Sequence, residues 1–299
     1  MKDFQSFCTE ILNRVQELLP PSYQEGECSL HRIQKLNESY TGLIVRKKDQ
    51  TVSPAIKLDL SYQDYLAGKS MQEIAETICD TIEKISFPAT LAKQSDRVLS
   101  YNRIKSKLFV RLSNKANNQE LLERIPHRDY CDLSLSYHIS LKEIKGQLAS
   151  ILINREMMEH WGIDEEKLNF DALENSAKLM PCDIIPIREV LEQHNAPIDC
   201  FEGQKMPLYV VRSKGWGSSA GLFYPGIMEK LAEIAKGDYY ILPSSIHEVL
   251  MLPAAELDEA EKLKEMVKEI NLNVVDANER LSDNVYYYNA EKYEFSMIE

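Results

Sequence analysis

No apolar run in the sequence approaches the roughly 18 residues that would read as a membrane span, so no transmembrane helix is expected. The first residues, Met1 to Leu12, mix charge into the first apolar stretch. That pattern excludes a signal peptide and makes a cytoplasmic location the expectation. Glycine (11) and proline (12) are scarce among 299 residues, and apolar residues are spread evenly. Collagen, low-complexity and disordered classes fall away on those counts. No two of the six cysteines, Cys8, Cys28, Cys79, Cys131, Cys182 and Cys200, are spaced Cys-x-x-Cys. In a reducing compartment they read as small core thiols. Positive charge is in short supply as well. The 35 Lys and Arg face 47 Asp and Glu, for a net charge of −12. Binding a phosphate backbone needs clustered cations. The densest basic stretches, Arg46 to Lys48 and Arg103 to Lys107, are short and read as solvated faces of strands. Neither a nucleic acid nor a membrane is expected as partner.

What remains is an ordinary globular composition, 44% apolar and 27% charged, long enough for two domains. Phe4, Phe7, Cys8, Ile11, Leu12, Val15, Leu18 and Leu19 form a helical stripe stopped by Pro20-Pro21. Strands are expected around 29–36, 41–48 and 52–60, with Asp49-Gln50 as a hairpin tip. Ser70-Met71-Gln72-Glu73 is a capping box that opens a second helix, ended by Phe87-Pro88. The middle of the chain alternates at strand period. Ile104, Leu108, Val110 and Leu112 alternate with basic residues. Cys131, Leu133, Leu135, Tyr137, Ile139 and Leu141 alternate with Asp132, Ser134, Ser136, His138 and Ser140. The second run implies an antiparallel strand with one wet face, so that His138 points to solvent or to a neighbouring strand. Helices are expected at 155–161 and 164–179. The stretch 195–207 has the weakest periodicity and reads as a connector. Beyond it come a strand at 208–212, a Gly-rich loop, and a helix with Pro225 in its first turn and Gly237 past its end. A strand at 239–242, a helix at 256–270 and a C-terminal hairpin around Asn289-Ala290 complete the pattern.

The expected fold is α+β, with antiparallel or mixed sheets and amphipathic helices packed on one face, in two domains. The segments are an N-terminal helix–three-strand–helix unit (1–90), a middle strand/helix region (91–194) and a C-terminal α+β unit (195–299). The sequence alone does not attach the middle region to either neighbour.

Three constellations invite chemistry. The loop Ser213-Lys214-Gly215-Trp216-Gly217-Ser218-Ser219-Ala220-Gly221 lies between a strand and a helix, where backbone N–H groups can meet phosphate. It lacks the Lys-Ser/Thr of a P-loop, and its third glycine comes one residue late for a dinucleotide fingerprint. Gly215, Trp216, Gly217 and Gly221 are its candidate ligand residues. His247-Glu248 suggests a zincin, but the position of the second histidine is Met251. Ser244, Ser245, His247 and Glu248 supply the residue types of a hydrolase without a Gly-x-Ser-x-Gly elbow. Cys28-x-x-His31 and His127-x-x-x-Cys131 offer two metal ligands each, and alternation sends Cys28 and His31 to opposite faces of a strand. No catalytic residue, metal or cofactor is assigned on these grounds. Among 15 tyrosines, Tyr286-Tyr287-Tyr288 should alternate between two strand faces.

The runs Gly221-Leu222-Phe223-Tyr224-Pro225-Gly226-Ile227-Met228 and Asp238-Tyr239-Tyr240-Ile241-Leu242-Pro243-Ser244-Ser245-Ile246-His247-Glu248-Val249 resemble the signature of an uncharacterised family. It is a domain of unknown function carried mainly by anaerobic gut Firmicutes. The segments from Ile153 to Met157, from Trp161 to Ile163 and from Leu43 to Asp59 are similar to it too. The last third is also distantly similar in layout to the YtpQ family of bacilli. The resemblance implies a cytosolic bacterial α+β protein whose Ser-Ser-Ile-His-Glu segment is distinctive. It lends no mechanism, substrate or catalytic residue. The first expectation for function is a protein-interaction or regulatory module that binds another protein. A hydrolase-like site at 244–248 and a small-molecule or nucleotide sensor at 215–221 are the alternatives. Enzymatic status and oligomeric state stay open.

Overall fold

The computed structural model describes residues 2–23, 25–48, 55–84, 100–144, 147–193, 207–215, 218–256 and 260–298. The chain divides into two compact units, Met1–Val98 and Leu99–Glu299.

In the first unit, α1 (Phe4–Leu18) is followed by β1 (Glu27–Lys35), β2 (Glu38–Arg46) and β3 (Ala55–Lys57). Then come α2 (Leu58–Leu66) and α3 (Met71–Lys84). Asp3 caps α1 by accepting the Ser6 N–H at 2.9 Å. The capping box of α3 is reciprocal. The Glu73 N–H donates to Ser70 Oγ at 3.2 Å, and the Ser70 N–H donates to Glu73 Oε2 at 2.8 Å. The strands form an antiparallel sheet in the order β1-β2-β3. Phe7, Ile11 and Val15 of α1 and Ile74, Ile78 and Ile82 of α3 bury against Leu43, Val45 and Leu58. The expected strand at 52–60 is corrected: among the described residues Ala55–Lys57 pairs with β2, and Leu58 begins a helix, while 52–54 lie outside the described residues. Helical geometry sends Leu58 fully into the core, while Leu60 stays 59% exposed. Strict alternation would have put both on one face. The expected hairpin tip at 49–50 and the stop at 87–88 lie outside the described residues.

In the second unit, α4 (Tyr101–Ile104) leads into β4 (Leu108–Asn114), α5 (Gln119–Leu122), β5 (His127–Tyr130), β6 (Leu133–Ile144) and β7 (Gln147–Leu152). The basic stretch Arg103–Lys107 is therefore helical and not part of a strand. β4 pairs along one edge of β6, while β5 and β7 share the other edge end to end. Two helices follow, α6 (Arg155–Trp161) and α7 (Glu165–Leu179), with Asp164 capping α7 through the Lys167 N–H at 2.7 Å. α7 lies against β4 and completes that strand's outer edge with side chains. The Val110 N–H donates to Ser176 Oγ at 3.1 Å, and Asn175 Nδ2 donates to the Leu108 carbonyl at 2.7 Å. An edge closed by a helix cannot template another strand.

The remaining elements are β8 (Cys182–Pro186), α8 (Ile187–Gln193), β9 (Tyr209–Ser213), α9 (Ile227–Ala235), β10 (Tyr239–Pro243), β11 (Val249–Pro253), α10 (Ala260–Asn273), β12 (Tyr286–Asn289) and β13 (Glu294–Met297). The six strands form an antiparallel sheet ordered β13-β12-β10-β11-β9-β8. Leu263 and Val267 of α10 pack with Leu242 and Leu252 on one face. On the other face, Tyr239 donates to the Met228 carbonyl of α9 at 3.1 Å. Helices thus serve both faces of this sheet, where one covered face was expected. Pro225 precedes the helix α9 instead of occupying its first turn, because Gly226, at φ +76°, is the N-cap. Tyr286 and Tyr288 are buried and Tyr287 is half-buried, as alternation requires. The expected connector at 195–207 lies, except for Pro207, outside the described residues.

Asp132, in the turn between β5 and β6, binds the two sheets together. It accepts hydrogen bonds from Ser282 Oγ (2.6 Å), Asn284 Nδ2 (3.0 Å) and Tyr286 OH (2.7 Å). Tyr130 and Phe223 stack beside it with ring centroids 4.1 Å apart.

Candidate functional site

Ser244 to Glu248 form the loop of the β10–β11 hairpin. The loop is closed by the Ser245 N–H donating to the Glu248 carbonyl at 3.0 Å. Among the described residues, no hydrogen bond joins the hydroxyl of Ser244 or Ser245 to the His247 ring. Ser245 Oγ instead accepts the backbone N–H of His247 at 3.1 Å, and the exposed imidazole meets Glu279 at 3.4 Å. Glu248 faces Arg212 at 3.3 Å. Backbone bonds pin the loop, with Ile246 donating to the Glu279 carbonyl at 2.9 Å and accepting from Ser219 N and Ser219 Oγ, both at 3.0 Å.

Those last contacts bring the two sequence candidates together, because Ser219 belongs to the Gly-rich loop. Trp216 and Gly217 lie outside the described residues. Gly215 takes φ +83° with open space around it. Gly221 is closely packed: a Cβ there would fall 3.1 Å from both Cys182 Sγ and the Ser213 nitrogen, so both would have to give by a few tenths of an ångström. The N–H groups on either side of the loop are consumed internally. Ser213 and Gly221 donate to the Ser218 carbonyl, Lys214 to the Pro181 carbonyl, and Ala220 to Ser218 Oγ. A phosphate cradle needs such groups unspent.

A third arrangement lies on β6 and its neighbours. The expected wet face of this strand is corrected. Ser134 and Ser136 are fully buried and His138 is 4% exposed. Of the two placements open to His138, the neighbouring strand holds, with its ring 5.3 Å from that of Phe109. The antiparallel register lines up three cross-strand rows on this face. They are Phe109–His138–Leu152, Arg111–Ser136–His127 and Ser113–Ser134–Asp129. Ser136 Oγ and His138 Nε2 are 3.1 Å apart, while His138 Nδ1 has no hydrogen-bond partner although it is buried. Burial and then the Arg111 charge push the His138 imidazole down to about 3, so it is neutral at pH 7. Arg111 is partly buried, and its guanidinium lies over the Phe109 ring at 5.6 Å. Among the described residues it pairs with no carboxylate. Asp129, the acid of this face, is engaged by Lys115 (2.6 Å), Ser134 (2.6 Å) and His127 (3.7 Å). Burial raises the Asp129 carboxyl, but the bonds from Lys115 and Ser134 outweigh it and hold it below its ordinary value.

In the first unit, Ser29, His31 and Glu27 gather on β1. Ser29 Oγ and Glu27 Oε1 both approach the same nitrogen of an exposed ring, His31 Nε2, at 2.9 and 3.3 Å. A relay needs the serine and the acid on opposite ring nitrogens. Among the described residues, no three His, Cys, Asp or Glu side chains gather as a metal site.

A family profile described as "Family of unknown function (DUF5688)" matches residues 4–290. The chain belongs to the DUF5688 family. No curated protein and no solved structure matches it. For this DUF5688 chain, the geometry above is therefore the ground for a functional reading. Sequence reasoning missed the β6 face because period-two alternation cannot distinguish a polar face in water from one under cover. One signal was available: serine and histidine, not lysine and glutamate, occupy positions 134, 136, 138 and 140, the first four polar positions of β6. Small and neutral polar residues are the ones that can be buried at tolerable cost.

Proposed function

We propose that this chain is a non-enzymatic protein-interaction or regulatory module working in a bacterial cytoplasm. The observation that carries the reading is an apolar stripe on α10 and just past it. Met266 (37% exposed), Ile270 (40%) and Val274 (77%) follow each other at four-residue spacing. Leu272 beside them is 71% exposed. The exposed Glu265, Lys268 and Glu269 rim the stripe. A soluble helix normally turns such a stripe inward, and α10 already buries Leu263 and Val267. Clustered apolar surface with a charged rim is the composition of a contact site. The −12 net charge argues for a protein partner and against nucleic acid.

A hydrolase at 244–248 is the weaker reading, since Ser245 Oγ accepts the His247 backbone N–H and, among the described residues, the His247 ring meets Glu279 and not a serine hydroxyl. A phosphate sensor at 215–221 is weakened by the spent N–H groups around it. The gut-Firmicute source rests on the likeness of residues 221–228 and 238–249 to that family. Kinship with the YtpQ family rests on element order in the last third alone. The partner, on this reading, is another protein or a second copy of this chain.

The test is a photo-crosslinking amino acid placed at position 270 in cells, compared with the same probe at exposed Lys178. A defined adduct at 270 that disappears when Met266 and Val274 are changed to Glu is expected. Equal, diffuse labelling at both positions would sink the proposal.

A further inference from the structure

The polar face of β6 has one feature that packing does not account for. Arg111 is a partly buried cation, and among the described residues no acid faces it. Taking a charge out of water without a partner costs several kcal/mol, a cost a fold avoids unless something else compensates. Beside it the His138 ring has an unpaired, buried Nδ1. The single Ser136 proton has two acceptors in reach, His138 Nε2 at 3.1 Å and the Arg111 carbonyl at 3.4 Å; where it takes the nearer one, the ring's proton sits on Nδ1. The face then presents two kinds of N–H donor with no acceptor. The cross-strand rows put an aromatic ring, Phe109, and an aliphatic side chain, Leu152, on either side of His138. Arg111 and His127 keep part of their surface in solvent, so this side of the face is accessible.

We propose that this face binds the carboxylate of a small organic acid. Arg111 supplies the charge, His138 Nδ1–H supplies a neutral hydrogen bond while Ser136 holds the ring in that tautomer, and Phe109 and Leu152 bracket the acid's apolar part. A carboxylate fits better than a phosphate because, among the described residues of this face, one cation is uncommitted: Lys115, the other one near the face, is held by Asp129 at 2.6 Å. A monoanion balances one guanidinium, and a planar carboxylate matches its fork. This inference is independent of the α10 stripe.

The test uses the full chain and three probes: benzoate, the uncharged isostere benzamide, and inorganic phosphate. Binding is read by thermal shift and by the His138 imidazole resonances. Expected are a benzoate-dependent rise in Tm at millimolar concentration, movement of the His138 signals, and binding at least about tenfold weaker for benzamide. Arg111→Met should lose the benzoate response while matching or exceeding the wild-type Tm without probe, because it removes an unpaired charge. Should Arg111→Met fail to fold, Arg111→Lys is the second variant, with benzoate binding retained but weakened. No response to benzoate at about 10 mM, equal binding of benzamide, or undiminished binding in either variant would overturn the proposal. Phosphate binding more tightly than benzoate would overturn the carboxylate assignment.

Discussion

His138 makes the stability of the fold depend on pH in the acid range. Its folded-state value lies near 3 and its unfolded value near 6.5, through burial and then the neighbouring Arg111 charge. Between those values the unfolded chain binds a proton that the folded chain refuses. Stability therefore rises with pH across that window and is lost as pH falls below about 6.5. The slope from this group is up to about 1.4 kcal/mol per pH unit. Carboxylates titrate in the same range, so the informative quantity is a difference. Urea unfolding of His138→Gln at several pH values should lose stability less steeply than wild type between pH 6.5 and 4.5. Parallel curves would show that the ring is solvated. Gly221 makes the second prediction at this scale. Gly221→Ala forces a Cβ to within 3.1 Å of Cys182 Sγ and the Ser213 nitrogen. It should destabilise by about 1–3 kcal/mol, read as a lower urea midpoint at unchanged slope. Neither residue's environment could be read from its neighbours in sequence. Burial of His138 depends on what lies over a sheet, and the constraint at Gly221 comes from a strand eight or more residues away.

At the scale of elements, local signals were read well where the physics is local. The Ser70–Glu73 capping box, the Asp164 cap and the Pro20-Pro21 stop act within one turn of chain, and each has its expected effect. Ser70→Ala should cost about 1 kcal/mol, measured by denaturant unfolding, since one α3 donor loses its acceptor. Signals that depend on partners were read less well. Leu58 and Leu60 continue a strand alternation that the chain abandons for a helix. β5 carries only four residues and no run of its own; it exists because β6 offers an edge. The Ser176–Val110 bond is of this second kind. Ser176→Ala would leave a buried N–H without an acceptor, at about 1–3 kcal/mol. Hydrogen exchange at Val110 should speed up by more than at its neighbours in β4.

For the whole molecule, the division into Met1–Val98 and Leu99–Glu299 predicts two calorimetric transitions. Ile78→Ala removes a core side chain of the first unit and should lower only one of them, by about 2–5 kcal/mol of that unit's stability. Asp132→Ala removes the acceptor of three hydrogen bonds between the sheets of the second unit and should lower only the other. A single transition moved by both variants would refute independent units. The middle region, which composition could not assign, is joined to the C-terminal region by Asp132 and by the Tyr130–Phe223 stack. These contacts span 93 to 154 residues in sequence, beyond the reach of any local pattern.

The sequence by itself determined the α+β class, most helix limits and the alternating strands, because capping, proline geometry and periodicity are short-range properties. It also supplied the residues of the Ser-Ser-Ile-His-Glu loop and of the Gly-rich loop. Only the tertiary structure decided that Ser219 and Ile246 join those loops through the backbone, with Ser245 Oγ on the His247 backbone N–H and the His247 ring on Glu279. Only it decided that the serine and histidine face of β6 is buried, with no acid on Arg111 among the described residues. Alternation states that a strand has two faces. Which of them meets water is a property of the elements that pack upon it, and those are brought there by contacts distant in the chain.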